Sequence, residues 1–374
     1  MKHAVALSML VALGWSCGPP PVVDQDSGTD ASIGELDGGS FPADSGAPDA
    51  STPGDAGFDA GTADAGRDAG GDAGFDGGVD AGFDGGVDAG FDAGTADAGR
   101  IFTDAGWCPA PAGGTPFHLR ALAANLTSGN NQSYDPGHGA RIMRGVSPDI
   151  VMIQEFNYGN RTTADFDTFV SNTFDGGYAW FRGVGNIPNG IISRWPILTT
   201  GEWQGQSPDR RLTYARIDLP GPNELWVISV HMPTSSAGSR NTDAQTIIAR
   251  IDAGIPAGDY ILLGGDFNTD NRSESCFTTF SRRFRVAGPH PVDQNGDEGT
   301  NANRDKPYDN VISSPCLARQ QVPTVIGNST FPSGLVVDTR VYTPLTEIAP
   351  AQFGDSNSSN MQHMGVVKDF LIQP

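Results

Sequence analysis

The chain has 374 residues and a formal net charge of −21, and its acidic residues are unevenly distributed. Residues 24–104 hold 19 acidic residues and only two arginines, so residues 107–374 carry a net charge of just −5. The part from 107 onward therefore lacks the overall basic surface of a tight nucleic-acid binder, and a polyanionic substrate would have to be held locally by a metal ion or a few arginines.

The first 17 residues have the pattern of a secretory signal, with a lysine, an apolar run from Ala4 to Leu13, small residues and then Cys17. The apolar run is too short to span a bilayer, which takes about 20 residues. Gly18 and three prolines follow the cysteine, which favours a bacterial lipoprotein whose Cys17 is acylated after cleavage. The alternative is an ordinary secretion signal with an incidental cysteine. Either way we expect an exported protein, anchored at the outer membrane or cell surface or else secreted.

Residues 18–106 form a low-complexity segment rich in Asp, Ala and Gly, with the near-repeat DAGFDGGVDAGFDGGVDAGFDAG. The segment shows no apolar periodicity of 2 or 3.6, so it buries too little surface to offset its chain entropy and is predicted to be a disordered tether. A calcium-binding roll is the alternative, but the repeat does not keep the required G-G-x-G-x-D-x-U-x pattern.

Residues 107–374 are long enough for a single domain with a sizeable core. Three cysteines remain there, Cys108, Cys276 and Cys316, and export favours one disulfide and one free thiol. The sequence does not decide the pairing. No zinc-ligand spacing is present in the sequence, nothing indicates a protein partner, and we expect a monomer.

Apolar runs typical of strands recur through this domain, with helical patterns between some of them. The predicted strands are 117–126, 149–156, 189–198, 211–219, 224–232, 260–268, 308–314 and 363–372. The predicted helices are 162–174 and 241–255, the second with Asn241 as its N-cap. Strands with intervening helices predict a layered α/β domain, and the alternating strands favour mixed or antiparallel sheets.

Polar residues of one chemical kind lie at or near the ends of these strands. They are Asn125, Glu155, His231, Asp266, Asn268, Asp309 and His363. Each has an ordinary alternative: Asp266 and Asn268 suit a turn, and a lone histidine on an apolar strand is usually a core residue. Together they suggest one site, because rigid strand ends can direct several side chains into a shared cleft. His138 could be a third site histidine, but the favoured interpretation is a loop residue.

The oxygen donors favour a hard cation, Mg²⁺ or Mn²⁺, with Ca²⁺ as an alternative structural or synergistic ion. Histidines titrate near neutral pH and can serve as acid and base. Phosphate ester hydrolysis needs a barrier reduction of about 20 kcal/mol, and a general acid or base supplies only about 3–5 kcal/mol of it. A site that combines a metal with histidines therefore suits phosphoryl chemistry.

The motifs ANLTSG, PDIVMIQE, NGIISRWPI, VISVHMPTS, GGDFNTD and PYDNVIS stand in this order along the chain. They resemble those of the endonuclease/exonuclease/phosphatase superfamily, and most of all its deoxyribonuclease I branch, over residues 115–372. The resemblance implies a four-layer α/β sandwich, with two packed mixed sheets flanked by helices.

The resemblance also implies roles for the strand-end residues. Asn125 and Glu155 would bind the metal, and His231 and His363 would be the catalytic histidines. Asp266 and Asn268 would orient the nucleophile and the phosphate, and Asp309 would hydrogen-bond to His363.

Three further residues take roles from the resemblance. Asn189 and Arg211 fall where the family places phosphate contacts. The family usually has an aspartate before its last histidine, and Gln362 stands there instead. An amide oxygen can still bind metal, so we expect Gln362 to be a weaker ligand and Gln362→Asp to lower the Mg²⁺ concentration needed for half-activity.

These observations predict an exported, divalent-metal-dependent phosphodiesterase acting on nucleic acid, DNA before RNA. A sphingomyelinase-type lipid phosphodiesterase is one alternative; it would need an exposed apolar hairpin, for which YAWF at 178–181 is a weak candidate. An inositol-phosphate phosphatase fits less well, because the P-A-W-C-D-R-[IV] segment of that branch is absent from the sequence. A catalytically impaired binding module at the cell surface is the alternative from another class.

Overall fold

The structure is a computed structural model that describes residue 108 and residues 113–256 and 258–374. The predicted signal segment with Cys17 and the predicted tether lie outside the described residues, so both remain predictions. Within the described ranges, no helix combines the length and the apolar character needed to cross a membrane.

The described residues contain fourteen strands and five α-helices. The strands are β1 (Phe117–Ala124), β2 (Ile150–Ile153), β3 (Ala179–Arg182), β4 (Gly190–Ser193), β5 (Ile197–Trp203), β6 (Leu212–Ile217), β7 (Leu225–His231), β8 (Tyr260–Asp266), β9 (Asp309–Ser313), β10 (Gln321–Val322), β11 (Thr324–Ile326), β12 (Ser329–Phe331), β13 (Leu335–Val337) and β14 (Gly365–Ile372). The helices are α1 (His138–Val146), α2 (Thr163–Thr173), α3 (Ala237–Gly254), α4 (Ser275–Phe280) and α5 (Pro315–Ala318), and 3₁₀ helices cover Leu345–Ile348 and Asp355–Asn357.

The strands form two large mixed sheets. The first has the order β10-β14-β1-β2-β4-β3, with β13 also paired to β14, and the second has the order β5-β6-β7-β8-β9. In each sheet one neighbouring pair is parallel, β1 with β2 and β7 with β8, and the other pairs are antiparallel. Strands β11 and β12 form a separate hairpin.

Three apolar clusters divide the domain into four layers. Residues such as Ala121, Met152 and Leu262 fill the space between the two sheets. On the outer face of the first sheet, α1 and α2 bury side chains that include Met143 and Phe169. On the outer face of the second sheet, α3 and α4 do the same. The expected four-layer α/β sandwich is therefore confirmed.

Several predicted boundaries were wrong. The run 189–198 is not one strand, because the chain leaves the first sheet after Ser193 and joins the second at Ile197. Pro196, which has no backbone N–H to donate, lies in the turn between them. Helix α3 begins earlier than predicted, since Ser236 rather than Asn241 is its N-cap and accepts a hydrogen bond from the Ser239 amide at 3.0 Å.

The predicted loop position of His138 was also wrong, and the structure gives the cysteine pairing that the sequence left open. His138 is the first residue of α1 and not a loop residue; the helix follows a left-handed Gly137 and has no side-chain cap, so the usual N-cap pattern is missing there. Cys108 and Cys316 form a disulfide, and Cys276 is buried and free.

Candidate active site

The second sheet places three of the predicted site residues side by side. His231 closes β7, Asp266 closes β8 and Asp309 opens β9. The strand register pairs His231 with Asp266 and Asp266 with Asp309. Because neighbouring strands lie about 4.8 Å apart, the three side chains form one row at this edge of the sheet.

The first sheet brings oxygen donors to the same place. Asn125 follows β1 directly, and its Nδ2 donates to Oδ2 of Asp266 at 3.1 Å and faces Oε1 of Glu155 at 3.4 Å. Glu155 follows β2 by two residues and accepts a hydrogen bond on Oε2 from Oγ1 of Thr127 at 3.2 Å. The ends of the two sheets therefore meet in one buried polar cluster.

Two glycines in β8 allow the sheets to approach at this point. A Cβ added to Gly264 would lie 2.6 Å from Cε of Met152 in β2. Gly265 has a φ of +129°, and a Cβ there would lie 2.2 Å from the carbonyl oxygen of Val230 and 2.5 Å from Nε2 of Gln154. Any larger residue would push the Asp266 end of β8 away from the first sheet.

His363 approaches the same oxygen of Asp266, Oδ2, that accepts the hydrogen bond from Asn125. Its Nδ1 lies 2.9 Å from Oδ2 of Asp309, and its Nε2 lies 3.6 Å from Oδ2 of Asp266. All three side chains are buried. The bond to Asp309 fixes the orientation of the imidazole and leaves Nε2 directed at the cluster.

His231 reaches the same carboxylate with its own Nε2, which lies 3.2 Å from Oδ2 of Asp266. Nη1 of Arg210 lies only 2.6 Å from that same Nε2. Since a guanidinium can only donate, Nε2 must accept, and the imidazole is then neutral with its proton on Nδ1. That Nδ1 has no hydrogen-bond partner and lies 3.9 Å from Oε1 of Glu155.

Asn268 has features both of a turn residue and of a site residue, the two interpretations that the sequence allowed. It has a left-handed φ of +51°, and its backbone N–H donates to Oδ1 of Asp266 at 2.8 Å. Its Nδ2 donates to the Met232 carbonyl at 2.9 Å and to Oδ2 of Asp266 at 3.1 Å. Glu155 is also left-handed, with φ +49°. Strained backbone at two polar residues is typical of functional sites.

Comparison with protein-family models shows which family the chain belongs to. The model of the endonuclease/exonuclease/phosphatase family matches residues 86–330. The chain belongs to this family. Members of the superfamily are generally phosphoester hydrolases that use divalent metal ions.

Solved structures of the same superfamily resemble this chain at low identity. A family protein from Leptotrichia buccalis is 17% identical, covering 68% of this chain and 99% of that one with a TM-score of 0.45. A protein from Beutenbergia cavernae is 16% identical, covering 68% and 72% with a TM-score of 0.47. One from Bacteroides vulgatus is 15% identical, covering 69% and 100% with a TM-score of 0.46. No curated protein sequence gave a significant match.

Different neighbouring charges give the two buried histidines of this family member opposite protonation states. Burial, Arg210 and His363 together lower the pKa of His231 well below its ordinary value. Burial would also lower the pKa of His363, but Asp309, Asp266 and Glu155 outweigh it and raise that pKa to about 10. Near neutral pH, His231 is therefore neutral and His363 is a cation.

Burial makes the ionised form of the carboxylates in the cluster unfavourable. Burial raises the pKa of Glu155, and it raises the pKa of Asp266 to about 6 against the opposing charge of His363. Burial likewise raises the pKa of Asp309 despite its hydrogen bond with His363. Three buried acids share one imidazolium, so the cluster has a deficit of positive charge that a divalent cation would remove.

The donor set fits the divalent metal of the family. Asn125 and Glu155 offer hard oxygen ligands, and Oδ1 of Asn125 is buried without a hydrogen-bond partner. Rotating the Asn125 amide by half a turn would direct this oxygen at the carboxylates. Ligand atoms of Asp266, Asp309 and His363 also lie within 4.8 Å of one another. In that second group, His363 and Asp309 are already hydrogen-bonded to each other, so Asn125 and Glu155 are the better candidates for metal ligands.

Three predicted residues have different surroundings from those expected. Nδ2 of Asn189 donates to the Arg211 carbonyl at 2.7 Å, while its Oδ1 is buried without a hydrogen-bond partner. The Arg211 side chain is exposed, and it is neighbouring Arg210 that contacts His231. Gln362 is exposed and makes no hydrogen bond within the described part of the chain. The expected phosphate contact of Arg211 and metal bond of Gln362 therefore have no geometric support.

Thr127 and Arg210 were missed by the sequence analysis. Thr127 lies two residues after Asn125 in ANLTSG, just as Asn268 lies two residues after Asp266. The same two-residue spacing would therefore have indicated Thr127. For the adjacent arginines 210 and 211, nothing in the sequence shows which one faces the site, because both precede β6 in a turn.

Proposed function

We propose that this chain is a divalent-metal-dependent phosphodiesterase that cuts nucleic acid internally, DNA before RNA. The observation that carries the proposal is the approach of two histidines to one carboxylate oxygen. Nε2 of His231 and Nε2 of His363 lie 3.2 Å and 3.6 Å from Oδ2 of Asp266, and burial and neighbouring charges shift their pKa values in opposite directions. Such a pair supplies a base and an acid to one reacting group.

The protonation states assign the roles. His363 is the general acid: its Nε2 carries the proton given to the leaving oxygen, while Nδ1 stays bonded to Asp309. The neutral His231, held beside Asp266, takes the proton of the attacking water on Nε2. A bond forms between the water oxygen and phosphorus, the bond from phosphorus to the leaving oxygen breaks, and both protons are accounted for.

Arg210 must leave Nε2 of His231 before that nitrogen can accept a proton, because it donates to the same lone pair at 2.6 Å. A substrate phosphate would draw the guanidinium to itself, since Arg binds phosphate oxygens through a fork of N–H donors. Substrate binding would then free the base at the moment it is needed. Asn189, with a free buried Oδ1 beside this turn, would help to hold the arginine segment in place.

Asn125 and Glu155 would hold the metal, with Mg²⁺ or Mn²⁺ preferred for oxygen donors and Ca²⁺ as a weaker alternative. A bound divalent ion supplies positive charge to the scissile phosphate as a Lewis acid. Thr127 supports this arrangement because its hydroxyl orients Glu155 from the side opposite to Asn125.

A polar cleft beside the cluster favours a nucleic-acid substrate over a lipid. The cleft has a volume of about 630 Å³, and it starts at Ser128 and Asn157, just after the segments that carry Asn125 and Glu155. Its lining includes hydroxyls and amides, with His138 and Arg161 as basic groups, Asp135 as an acidic group, and Pro136 and Tyr158. Sugar and phosphate groups match such a lining, whereas acyl chains need an apolar one.

The candidate membrane hairpin gives the lipid alternative no support. In YAWF, Tyr178 and Trp180 pack against the core of the first sheet, and Nε1 of Trp180 donates to Asp167 at 2.9 Å. The segment forms β3 and not a protruding loop. The two buried histidines, both close to Oδ2 of Asp266, also argue against an impaired binding module, because burying such groups is costly without a chemical use.

We further propose that the protein is exported and lipid-anchored through Cys17, and that it acts as a monomer. The disulfide between Cys108 and Cys316 supports export, because disulfides persist in oxidising compartments. Metabolic labelling with a radioactive fatty acid should mark the wild-type chain and leave Cys17→Ser unlabelled; equal labelling of both would refute the anchor.

The activity is tested by incubating the purified chain with supercoiled plasmid in Mg²⁺, in Mn²⁺ and in EDTA. We expect nicking that requires metal, disappears in His363→Ala and persists in Arg250→Gln, a control that removes one exposed charge from α3. Failure to nick DNA or RNA in any metal, with hydrolysis of sphingomyelin vesicles or inositol phosphates instead, would overturn the nucleic-acid substrate. No hydrolysis of any of these would overturn the enzyme.

A further inference from the structure

Lys368 is a buried lysine without a counter-ion. It lies on β14 between Val366 and Phe370, which belong to the apolar cluster between the sheets, and it pairs with Ala121 of β1. Its side chain is only 8% exposed. Within the described residues its ammonium makes no hydrogen bond and no ion pair. Lysines are almost never buried in this way unless something pairs with them.

The surroundings of Lys368 are cationic. It lines an open cleft of about 310 Å³ together with Arg285 and Arg319, and no acidic residue lines that cleft. It also lines a small internal cavity with Arg272 and His290. Burial and the charge of Arg272 lower the pKa of Lys368 to about 8, as expected where no carboxylate offsets them.

Two acids near this region do not pair with Lys368. Asp309 lines the internal cavity; its Oδ2 bonds to His363, and its Oδ1 makes no hydrogen bond within the described residues. Glu298 pairs with Nε of Arg272 at 3.1 Å. Neither forms an ion pair with Lys368 within the described ranges, so Lys368 has no counter-ion there, and its side chain lines the open cleft.

We propose that this cleft is a binding site for a small phosphate-bearing anion, inorganic phosphate or a phosphate monoester, with Lys368 as its buried cationic ligand. The volume lies at the lower end of the range for small-molecule pockets. Arginine and lysine side chains match the oxygens of a dianion, and Ser313 and Ser333 add hydroxyl groups to a lining that otherwise contains Gln321, alanines and prolines.

The site is distinct from the catalytic cluster. Ser313 and Asp309 stand at opposite ends of β9, roughly 13 Å apart along an extended strand. Phosphate binding at Lys368 therefore does not depend on the proposed nuclease activity, and it can be measured in EDTA where that activity is absent.

Isothermal titration calorimetry of the full chain in EDTA tests the proposal. Inorganic phosphate and thymidine 5′-monophosphate are titrated separately, and the tighter binder identifies the source of the phosphate group. We expect Lys368→Met to weaken binding about tenfold or more, as for loss of one charge-assisted hydrogen bond. Arg319→Gln, at an exposed position, should weaken it less, and the control Arg250→Gln should leave it unchanged.

His363→Ala separates the two sites, because phosphate bound at Lys368 should survive this change. Thermal unfolding shows whether a loss of binding comes from misfolding. Phosphate should raise the Tm of the wild type and not that of Lys368→Met. Without phosphate, the Tm of Lys368→Met should equal or exceed the wild-type value, because the unpaired buried charge is gone. Wild-type affinity in Lys368→Met, loss of all binding in His363→Ala, or no phosphate binding to the wild type would each overturn the proposal.

Discussion

Nδ1 of His363 lies 2.9 Å from Oδ2 of Asp309, and both side chains are buried where β9 begins and the chain approaches β14. The contact does more than orient the ring. Burial alone would make His363 a weak base, and it is the neighbouring carboxylates, Asp309 first among them, that raise its pKa to about 10. The candidate acid is therefore kept charged by a partner that does not face the substrate.

Asp309→Asn should convert His363 from a cation to a neutral imidazole at mildly alkaline pH. Burial lowers the pKa of His363 and Asp309 raises it, so removing the Asp309 charge lowers that pKa. The acid must be protonated to act, so the alkaline limb of the kcat profile should move to lower pH, and kcat should fall by about 10²–10⁴. Plasmid cleavage measured between about pH 5 and pH 10 checks both effects.

Asp218→Asn is the matched control, because Asp218 is an exposed acid whose removal changes the net charge equally. Its pH profile should coincide with that of the wild type. An alkaline limb that stays in place in Asp309→Asn would show that His363 is not the acid.

The sequence was sufficient for the long strands and for most of the buried cluster, but it missed the short strands β3 and β10 to β13. Apolar runs identified the long strands, and short motifs located Glu155, His231 and Asp266, because these residues stand at fixed offsets from the runs that position them. The boundary errors arose where tertiary structure decides. One apolar run became β4 and β5 because the chain changes sheets at Arg194 to Pro196, and no local preference encodes that.

The other features that the sequence did not predict are the directions of side chains and the pairing of distant cysteines. Arg210 and Arg211 have identical chemistry, and only the turn before β6 decides which one reaches His231. The Cys108–Cys316 disulfide joins positions 208 residues apart, a separation over which spacing carries no information. In the sequence GVVKDFLI, nothing distinguishes Lys368 from an exposed charged residue. Its burial results from the packing of the two sheets, which the local sequence does not show.

Metal binding should stabilise the protein above pH 6 and lose this effect below it. Burial raises the pKa of Glu155, and it raises that of Asp266 to about 6, so protons compete with the metal as pH falls through that value. At about 100 times its dissociation constant, Mg²⁺ should add about 2.7 kcal/mol, a rise in Tm of several degrees. Thermal unfolding in Mg²⁺ and in EDTA, at about pH 8 and about pH 5, measures the difference.

Glu155→Gln should abolish the Mg²⁺-dependent rise in Tm, whereas Asp218→Asn should retain it. A rise of equal size at both pH values would contradict the participation of these buried carboxylates in metal binding.

Arg210→Gln should raise the pKa of His231 and reduce turnover. Burial is the first cause of the lowered pKa of His231 and Arg210 is the second, so removing the Arg210 charge raises that pKa in part. The loss of a charge-assisted phosphate contact adds to this, and we expect kcat/KM to fall about 10- to 100-fold. Imidazole NMR titration reports the pKa, and plasmid cleavage reports the rate.

Arg211→Gln is a control one residue away, with the same charge change and an exposed side chain. Its activity should remain within about twofold of the wild type, as for most surface substitutions. A larger loss in Arg211→Gln than in Arg210→Gln would restore the phosphate contact to Arg211 and remove Arg210 from the proposed mechanism.

Gln362 and Asn125 should differ sharply in how they affect the metal requirement. Gln362 is exposed and makes no hydrogen bond among the described residues, so Gln362→Asp should change the Mg²⁺ concentration for half-activity by less than about twofold, as for a screened surface charge. Asn125→Ala removes a buried amide that faces both Glu155 and Asp266, so it should raise that concentration about tenfold or more. Mg²⁺ titrations of plasmid cleavage compare the two variants. If Gln362→Asp lowers the requirement as much as Asn125→Ala raises it, residue 362 binds the metal in solution and the exposed orientation of its side chain does not persist once the ion is bound.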